Sequence, residues 1–184
     1  RIQGIPREPG FFPFERFFSS ELYIREMHEL RDFILRPQGA DATSVGIVED
    51  LFLTLAAELD TYSKVLVHRD FHGWNLLIDQ RGQVRVIDFQ DALCATRAYD
   101  LVSLLNDRDM DSTLGTKLYT SLVLSFASQI GGGERFLREY DRVLLQRDLK
   151  VAGRFAKLVS GRGLLSYGDW IPGTLRRIGR TLER

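Results

Sequence analysis

Cysteine is almost missing from this chain. Cys94 is the single one in 184 residues, which excludes an internal disulfide framework and fits a reducing compartment such as the cytoplasm. Charge of one sign is missing too. Twenty-five Lys and Arg offset 25 Asp and Glu, so no strong net field draws the chain to nucleic acid or to an anionic membrane, and neither is expected as a partner. Long hydrophobic runs are absent: none approaches the roughly 20 residues that cross a bilayer. The first ten residues hold no apolar signal-peptide stretch. Internal repeats and low-complexity segments are also lacking. What is present is ordinary for a globular protein, with 44% hydrophobic residues, enough to build a core. The length suggests one domain over residues 1–184.

Pattern and punctuation give a mostly helical chain. Residues 1–18 are rich in Pro, Gly and Phe, and Phe11, Phe12, Phe14, Phe17 and Phe18 are too many aromatics for a free tail. An irregular segment pinned onto the body is expected. Ser19 or Ser20 caps a helix with Leu22, Met27, Leu30, Phe33 and Ile34 at helical spacing, stopped by Pro37. A second helix starts after Thr43 or Ser44 and carries Val48, Leu51, Phe52, Leu55, Ala56 and Leu59 on one face. Residues 91–98 read as a loop, followed by a helix with Asp100 as its N-cap. Further helices are expected over 118–130, 134–160 and 174–184, with Gly131-Gly132-Gly133 as a C-cap and linker. Arg147, Lys150 and Arg154 share one face of the long helix. A solvated stripe is the default reading, with contact to an anionic ligand as the alternative.

The chemically dense stretch is 65–91. Val65-Leu66-Val67 is a short strand pattern that delivers the polar residues His68-Arg69-Asp70. Leu76-Leu77-Ile78 and Val84-Arg85-Val86-Ile87 flank a turn containing Gly82 and read as a hairpin. With the turn centred between Arg81 and Gly82, Leu76 faces Ile87, Leu77 faces Val86 and Asn75 faces Asp88, unless a one-residue bulge intervenes. In that register an amide oxygen and a carboxylate converge at the open end of a ribbon. Such hard oxygens suit Mg²⁺, which takes one or two protein ligands and completes its shell with substrate phosphates. Asp70, on the loop into the same end, is placed to accept a proton from an attacking hydroxyl. Asp and Asn beside a hairpin can also be plain turn caps.

The spacing His68-Arg69-Asp70-x₄-Asn75, followed by Ile87-Asp88-Phe89-Gln90-Asp91, resembles the catalytic and metal-binding loops of the kinase superfamily. Gln90 stands where protein kinases have the glycine of D-F-G. The pattern is closer to the aminoglycoside phosphotransferase and choline kinase group. Within it, the chain resembles the bacterial anomeric kinases of N-acetylmuramate and N-acetylglucosamine. Their H-R-D-[YF]-H-x-x-N-L, V-I-D-F-Q-D-A, Y-D-L-V-S-L-L and Q-R-x-L-K-V-x-G-x-F-A-x-L patterns match residues 68–76, 86–92, 99–105 and 146–158. Ala95-Thr96 departs from the Gly-Pro pair usual in that family.

The resemblance implies an α+β, mostly α fold: a protein-kinase-like C-terminal lobe whose small β-hairpin carries the catalytic and metal-binding loops. It implies transfer of the γ-phosphoryl group of ATP to a small-molecule hydroxyl, most specifically the anomeric hydroxyl of N-acetylmuramate or N-acetylglucosamine, in peptidoglycan recycling. Asp70 is then the catalytic residue, and Asn75 and Asp88 hold Mg²⁺ and, through it, ATP. His68 buttresses the loop, Arg69 pairs with a nearby carboxylate, and Asp100 reaches back to the catalytic loop. His72, Gln90 and Asp91 are candidate neighbours of the substrate. The N-terminal nucleotide-binding lobe of such kinases, with its glycine-rich loop and strand lysine, has no counterpart here. It is expected in a longer parent protein, and this stretch alone is expected to be an incomplete enzyme. An aminoglycoside- or choline-type acceptor, or a non-catalytic kinase-like scaffold, are the alternatives.

Overall fold

Capping side chains set where the first two helices begin. In the computed structural model, which describes residues 2–108 and 110–183, Ser19 accepts the backbone N–H of Leu22 on its hydroxyl (3.3 Å) and caps helix α1, Ser20–Leu30. Its apolar stripe buries Tyr23, Met27 and Leu30. The helix does not run unbroken to Pro37. It widens into a π-turn over Arg31–Leu35. Helix α2, Ala42–Thr61, starts earlier than Thr43 or Ser44 suggested, because the Asp41 carboxylate accepts the Ser44 N–H (2.7 Å) and serves as the cap.

The described residues form two compact units. One comprises Ser19–Thr61 and Leu144–Arg184. Here α1 packs on α2, and α1 also meets the second part of the long helix α5, Gly133–Arg162. Gly153 is the point of closest approach: a Cβ there would overlap the backbone of Glu29 and Leu30. The stripe of Lys150 and Arg154 is engaged by ion pairs, with Lys150 largely covered and Arg154 still half-exposed. Lys150 pairs with the buried Glu26 (3.1 Å), and Arg154 pairs with Glu29 (2.7 Å), because α1 presents its acidic residues to this face of α5. The final helix α6, Ile171–Leu182, is held by a bidentate pair between Arg177 and the fully buried Asp148, both bonds 2.8 Å.

The other unit comprises Arg1–Phe18 and Tyr62–Val143. Strand β1, Lys64–Val67, delivers the polar loop as expected. Its partner lies within 91–98, the expected loop: β4, Leu93–Thr96, antiparallel to β1 with Lys64 opposite Thr96 and Val67 opposite Leu93. All four residues of β4 are buried. The N-terminal segment is pinned along this strand, with Phe18 N–H donating to Cys94 O (2.9 Å) and Cys94 N–H to Arg16 O (2.8 Å). Phe14 and Phe18 are the buried anchors, whereas Phe11, Phe12 and Phe17 remain exposed.

Strands β2, Leu76–Ile78, and β3, Val84–Val86, form the anticipated hairpin, shifted by one residue: Leu76 pairs with Val86, Leu77 with Arg85 and Ile78 with Val84. The turn is the reason. Gly82 N–H donates to Asp79 O (2.9 Å) and Asp79 N–H to Gln83 O (2.9 Å), with Gly82 at φ +72°. That is a three-residue loop with a left-handed glycine bulge, in place of an even-numbered turn. The Asp79 carboxylate fixes it by accepting the N–H groups of Arg81 and Gln83, both at 2.9 Å. Helix α3, Tyr99–Leu105, and helix α4, Met110–Gln129, complete the unit with the first turns of α5. A buried network joins them: Tyr119 and Tyr140 hydroxyls lie 2.7 Å apart, and the Asn106 side chain bonds to both.

Candidate active site

β1 ends at Val67, and the chain turns sharply through His68, Arg69 and Asp70. Arg69 sits at φ +73°, a left-handed conformation that L-residues other than Gly, Asn and Asp rarely adopt. Asp100 holds it there. Its carboxylate accepts the His68 N–H (2.8 Å) and the Arg69 N–H (3.1 Å). Asp100 is therefore not the N-cap of α3. That position is Ala98, and Asp100 occupies the first turn with its side chain turned to the loop. Burial pushes its carboxyl from 3.8 up to about 6, against the lowering effect of those two N–H bonds.

A second tie joins the two polar loops. The buried His68 ring donates from Nε2 to the carbonyl of Ile87 (2.8 Å), which ties the loop after β1 to the loop after β3. Ile87 N–H in turn donates to Asn75 O (3.1 Å), extending the ribbon by one pair beyond Leu76 and Val86. Asn75 is thus opposite Ile87. Asp88 comes one residue later, at φ +66°, the only other non-glycine residue with positive φ among those described. Strained backbone beside each carboxylate, on two loops fixed by separate hydrogen bonds, is what a preorganised site requires.

The side chains follow this frame. Asn75, buried, donates from Nδ2 to Asp70 O (2.9 Å) and to Asp70 Oδ2 (3.4 Å). With its nitrogen committed, the amide oxygen is the atom left for a cation. Asp88 is exposed and accepts a bond from Gln90 Nε2 (2.8 Å) on Oδ1. Gln90 thus orients the acid. Asp91, expected as a neighbour of the substrate, lies 3.8 Å from Arg69 Nη1 and is a carboxylate near that arginine, whose guanidinium also stands over the Phe18 ring at 5.5 Å. His72 is turned to Asp70, with Nε2 3.2 Å from Oδ1.

Among the described residues no three His, Cys, Asp or Glu side chains converge as a ready-made metal cage. The donor set of one amide and one carboxylate oxygen fits Mg²⁺, which completes its shell with phosphate and water. An apolar cavity of about 570 Å³ lies against Phe71, Val86 and Asp100, but Asp70, Asn75 and Asp88 do not line it. Two features escaped the sequence reading: the left-handed turns at Arg69 and Asp88, and the Ile87 carbonyl as the anchor for His68. Neither residue type nor spacing signals a backbone acceptor.

Two polar loops held this way, in a mostly helical chain with small antiparallel pairs, define a kinase-like phosphotransferase fold. The pattern of the phosphotransferase enzyme family matches residues 1–163, and the chain belongs to that family. It is 37% identical over 178 residues to an N-acetylmuramate/N-acetylglucosamine kinase of Neisseria meningitidis serogroup B, covering 91% of this chain and 52% of that protein. A kinase of the same name from Caulobacter vibrioides is 29% identical over 138 residues, covering 72% of this chain and 38% of that protein. The chain therefore spans about half the length, or less, of these curated relatives. By fold it resembles the ethanolamine kinase of Plasmodium vivax, with a TM-score of 0.60 at 15% identity over 98% of this chain and 55% of that one. It also resembles an aminoglycoside phosphotransferase from Alicyclobacillus acidocaldarius, with a TM-score of 0.51 at 18% identity over 89% and 56%. No helix among the described residues is long and apolar enough to cross a membrane.

Proposed function

We propose that the protein to which this chain belongs is an ATP-dependent sugar kinase, acting in the cytoplasm on the anomeric hydroxyl of N-acetylmuramate or N-acetylglucosamine recovered from the cell wall. The observation that carries the reading is the tie between the two loops. His68 Nε2 on the Ile87 carbonyl, and Asp100 on the amides of His68 and Arg69, hold Asp70 and Asp88 on fixed frames. A scaffold without chemistry has no need of two strained carboxylate loops.

In the reaction the acceptor hydroxyl oxygen bonds to the γ-phosphorus as the bond from that phosphorus to the bridging oxygen of ADP breaks. Asp70 takes the hydroxyl proton. Asn75 holds the Asp70 loop in register through its bond to Asp70 O, and its amide oxygen, with the Asp88 carboxylate, is the seat for Mg²⁺. When bound, the ion neutralises charge on the phosphates. Gln90 keeps Asp88 in the orientation this needs. The sugar assignment rests on the curated relatives, whose printed names give both sugars.

The test is ADP formation with Mg-ATP and, in turn, N-acetylmuramate, N-acetylglucosamine and kanamycin. It is run on this chain and on the protein extended at its N-terminus to the length of the relatives. Asp70→Asn is expected to lower sugar-dependent turnover by about 10²- to 10⁴-fold. Turnover with kanamycin alone would reassign the acceptor. Equal turnover in the mutant would remove Asp70 from the chemistry.

A further inference from the structure

We propose that His72 is a positioning residue for Asp70, donating Nε2–H to Oδ1 and fixing the orientation of the carboxylate that takes the acceptor's proton. This rests on the phosphotransfer reading above. The geometry begins with the backbone. Asn75 N–H donates to His72 O (3.0 Å), closing the short helical turn Gly73–Asn75 and bringing both the His72 and Asn75 side chains back onto Asp70. His72 Nε2 stands 3.2 Å from Oδ1, and Asn75 Nδ2 stands 3.4 Å from Oδ2. Each carboxylate oxygen thus has a donor of its own.

That matters because Asp70 is exposed, with 59% of its side-chain surface open, while the His72 side chain is only 16% exposed. An open aspartate on a loop samples several rotamers. One gripped at both oxygens by donors that are themselves held does not. The proton on the His72 ring is also assigned. Ionised Asp70 accepts only, so Nε2 carries the hydrogen. Nδ1 is buried without a partner, and a doubly protonated ring would leave an N–H unpaired there. Nε2–H is therefore the ring donor that this geometry uses, and it is directed at Asp70.

In the transfer step His72 neither gives nor takes a proton. The hydroxyl proton passes to Asp70 as the oxygen–phosphorus bond forms and the bond to ADP breaks. Small misorientation of a reacting group costs on the order of 100-fold. His72→Leu is therefore expected to lower kcat by about 10- to 100-fold with KM for sugar and Mg-ATP nearly unchanged. His72→Gln, whose Nε2 occupies the place of the ring Nε2, should recover most of that loss. Wild-type kcat in His72→Leu, a loss confined to KM, or a glutamine variant no better than leucine would overturn the proposal.

A second readout is independent of turnover. The chain has three histidines, so two-bond ¹H–¹⁵N spectra of histidine-labelled protein resolve each ring. His72 should show the Nε2–H tautomer and shift on Asp70→Asn, while the His68 ring, bonded to Ile87 O, stays in place. An Nδ1–H tautomer at His72, or no response to Asp70→Asn, removes the contact and the proposal with it. If the spectra are as expected but the extended wild-type protein transfers no phosphoryl group to any acceptor, the kinase reading has failed and the positioning role falls with it.

Discussion

At the scale of single residues, Asp100 carries the clearest electrostatic consequence. It is 7% exposed, and its carboxylate spends both oxygens on backbone N–H groups of the loop that bears Asp70. Burial nevertheless outweighs those bonds and raises the carboxyl to about 6. Between about pH 4 and 6 the folded chain then holds a proton that the unfolded chain has released. The group's contribution to stability is full below about 4 and is lost as pH rises through about 6. The change is on the order of 3 kcal/mol, two units of pKa at 1.36 kcal/mol each. Asp100→Asn cannot titrate. The stability of the wild type relative to this variant, from urea unfolding at a series of pH values, should fall by about that amount between pH 4 and 7. A flat difference would mean that the two N–H bonds offset burial fully. The same residue shows a limit of sequence reading. Asp100 at the start of a helix has the look of an N-cap, and only the fold reveals that Ala98 holds that position while the carboxylate serves the loop at His68.

At the scale of elements, what could be read was whatever local chemistry dictates. The Ser19 cap, Met27 and Leu30 of the α1 stripe, and the hairpin flanking Gly82 follow from side chains acting within a few residues, whereas Tyr23, not Leu22, is the aromatic or aliphatic residue that the first turn buries. What could not be read depends on distant partners or on the geometry of one turn. β4 is Leu-Cys-Ala-Thr, short and built of small residues, and it is a strand because β1 pairs with it. The hairpin register turned on whether the loop was even or odd, which the Asp79 carboxylate and left-handed Gly82 decide. Gly153 is a third case. In sequence it reads either as a kink or as a point of close packing, at a cost of about 1 kcal/mol against Ala, with nothing to name the partner. In the fold it is where α5 meets the backbone of α1 at Glu29 and Leu30. Gly153→Ala should therefore destabilise by about 3 kcal/mol or more, since a methyl forced against backbone moves a whole helix. Gly161→Ala, in the same helix with open space around it, should stabilise slightly. Thermal melts of the two variants moving together would show that α1 yields at no cost.

At the scale of the whole molecule, the surface around the β2–β3 ribbon exposes many large apolar side chains. Ile78 and Val84, directly paired across the ribbon, are 77% and 63% exposed, and Trp74 and Phe89 are 74% and 67% exposed. A two-stranded ribbon is marginal unless a hydrophobic face is covered. Exposed large apolar side chains in this number mark an interaction surface or an aggregation hazard where they join into one patch. The chain matches about half the length of its Neisseria relative, and the kinase reading expects a nucleotide-binding lobe against the loops this ribbon carries. The 184-residue chain on its own should then bind a hydrophobic dye such as 8-anilinonaphthalene-1-sulfonate and self-associate at tens of micromolar, in the range where exposed strand edges recruit one another. Ile78→Lys with Val84→Glu, a pair of opposite charges across the ribbon, should abolish both without unfolding the helices. The protein extended to the length of its relatives should show neither behaviour with the wild-type ribbon. A monodisperse, dye-dark short chain would mean that the ribbon is stable when wet and that the apolar residues answer to the nucleotide instead of to polypeptide. In that case Trp74 fluorescence, read in a Trp170→Phe background, should respond to Mg-ATP in the short chain itself.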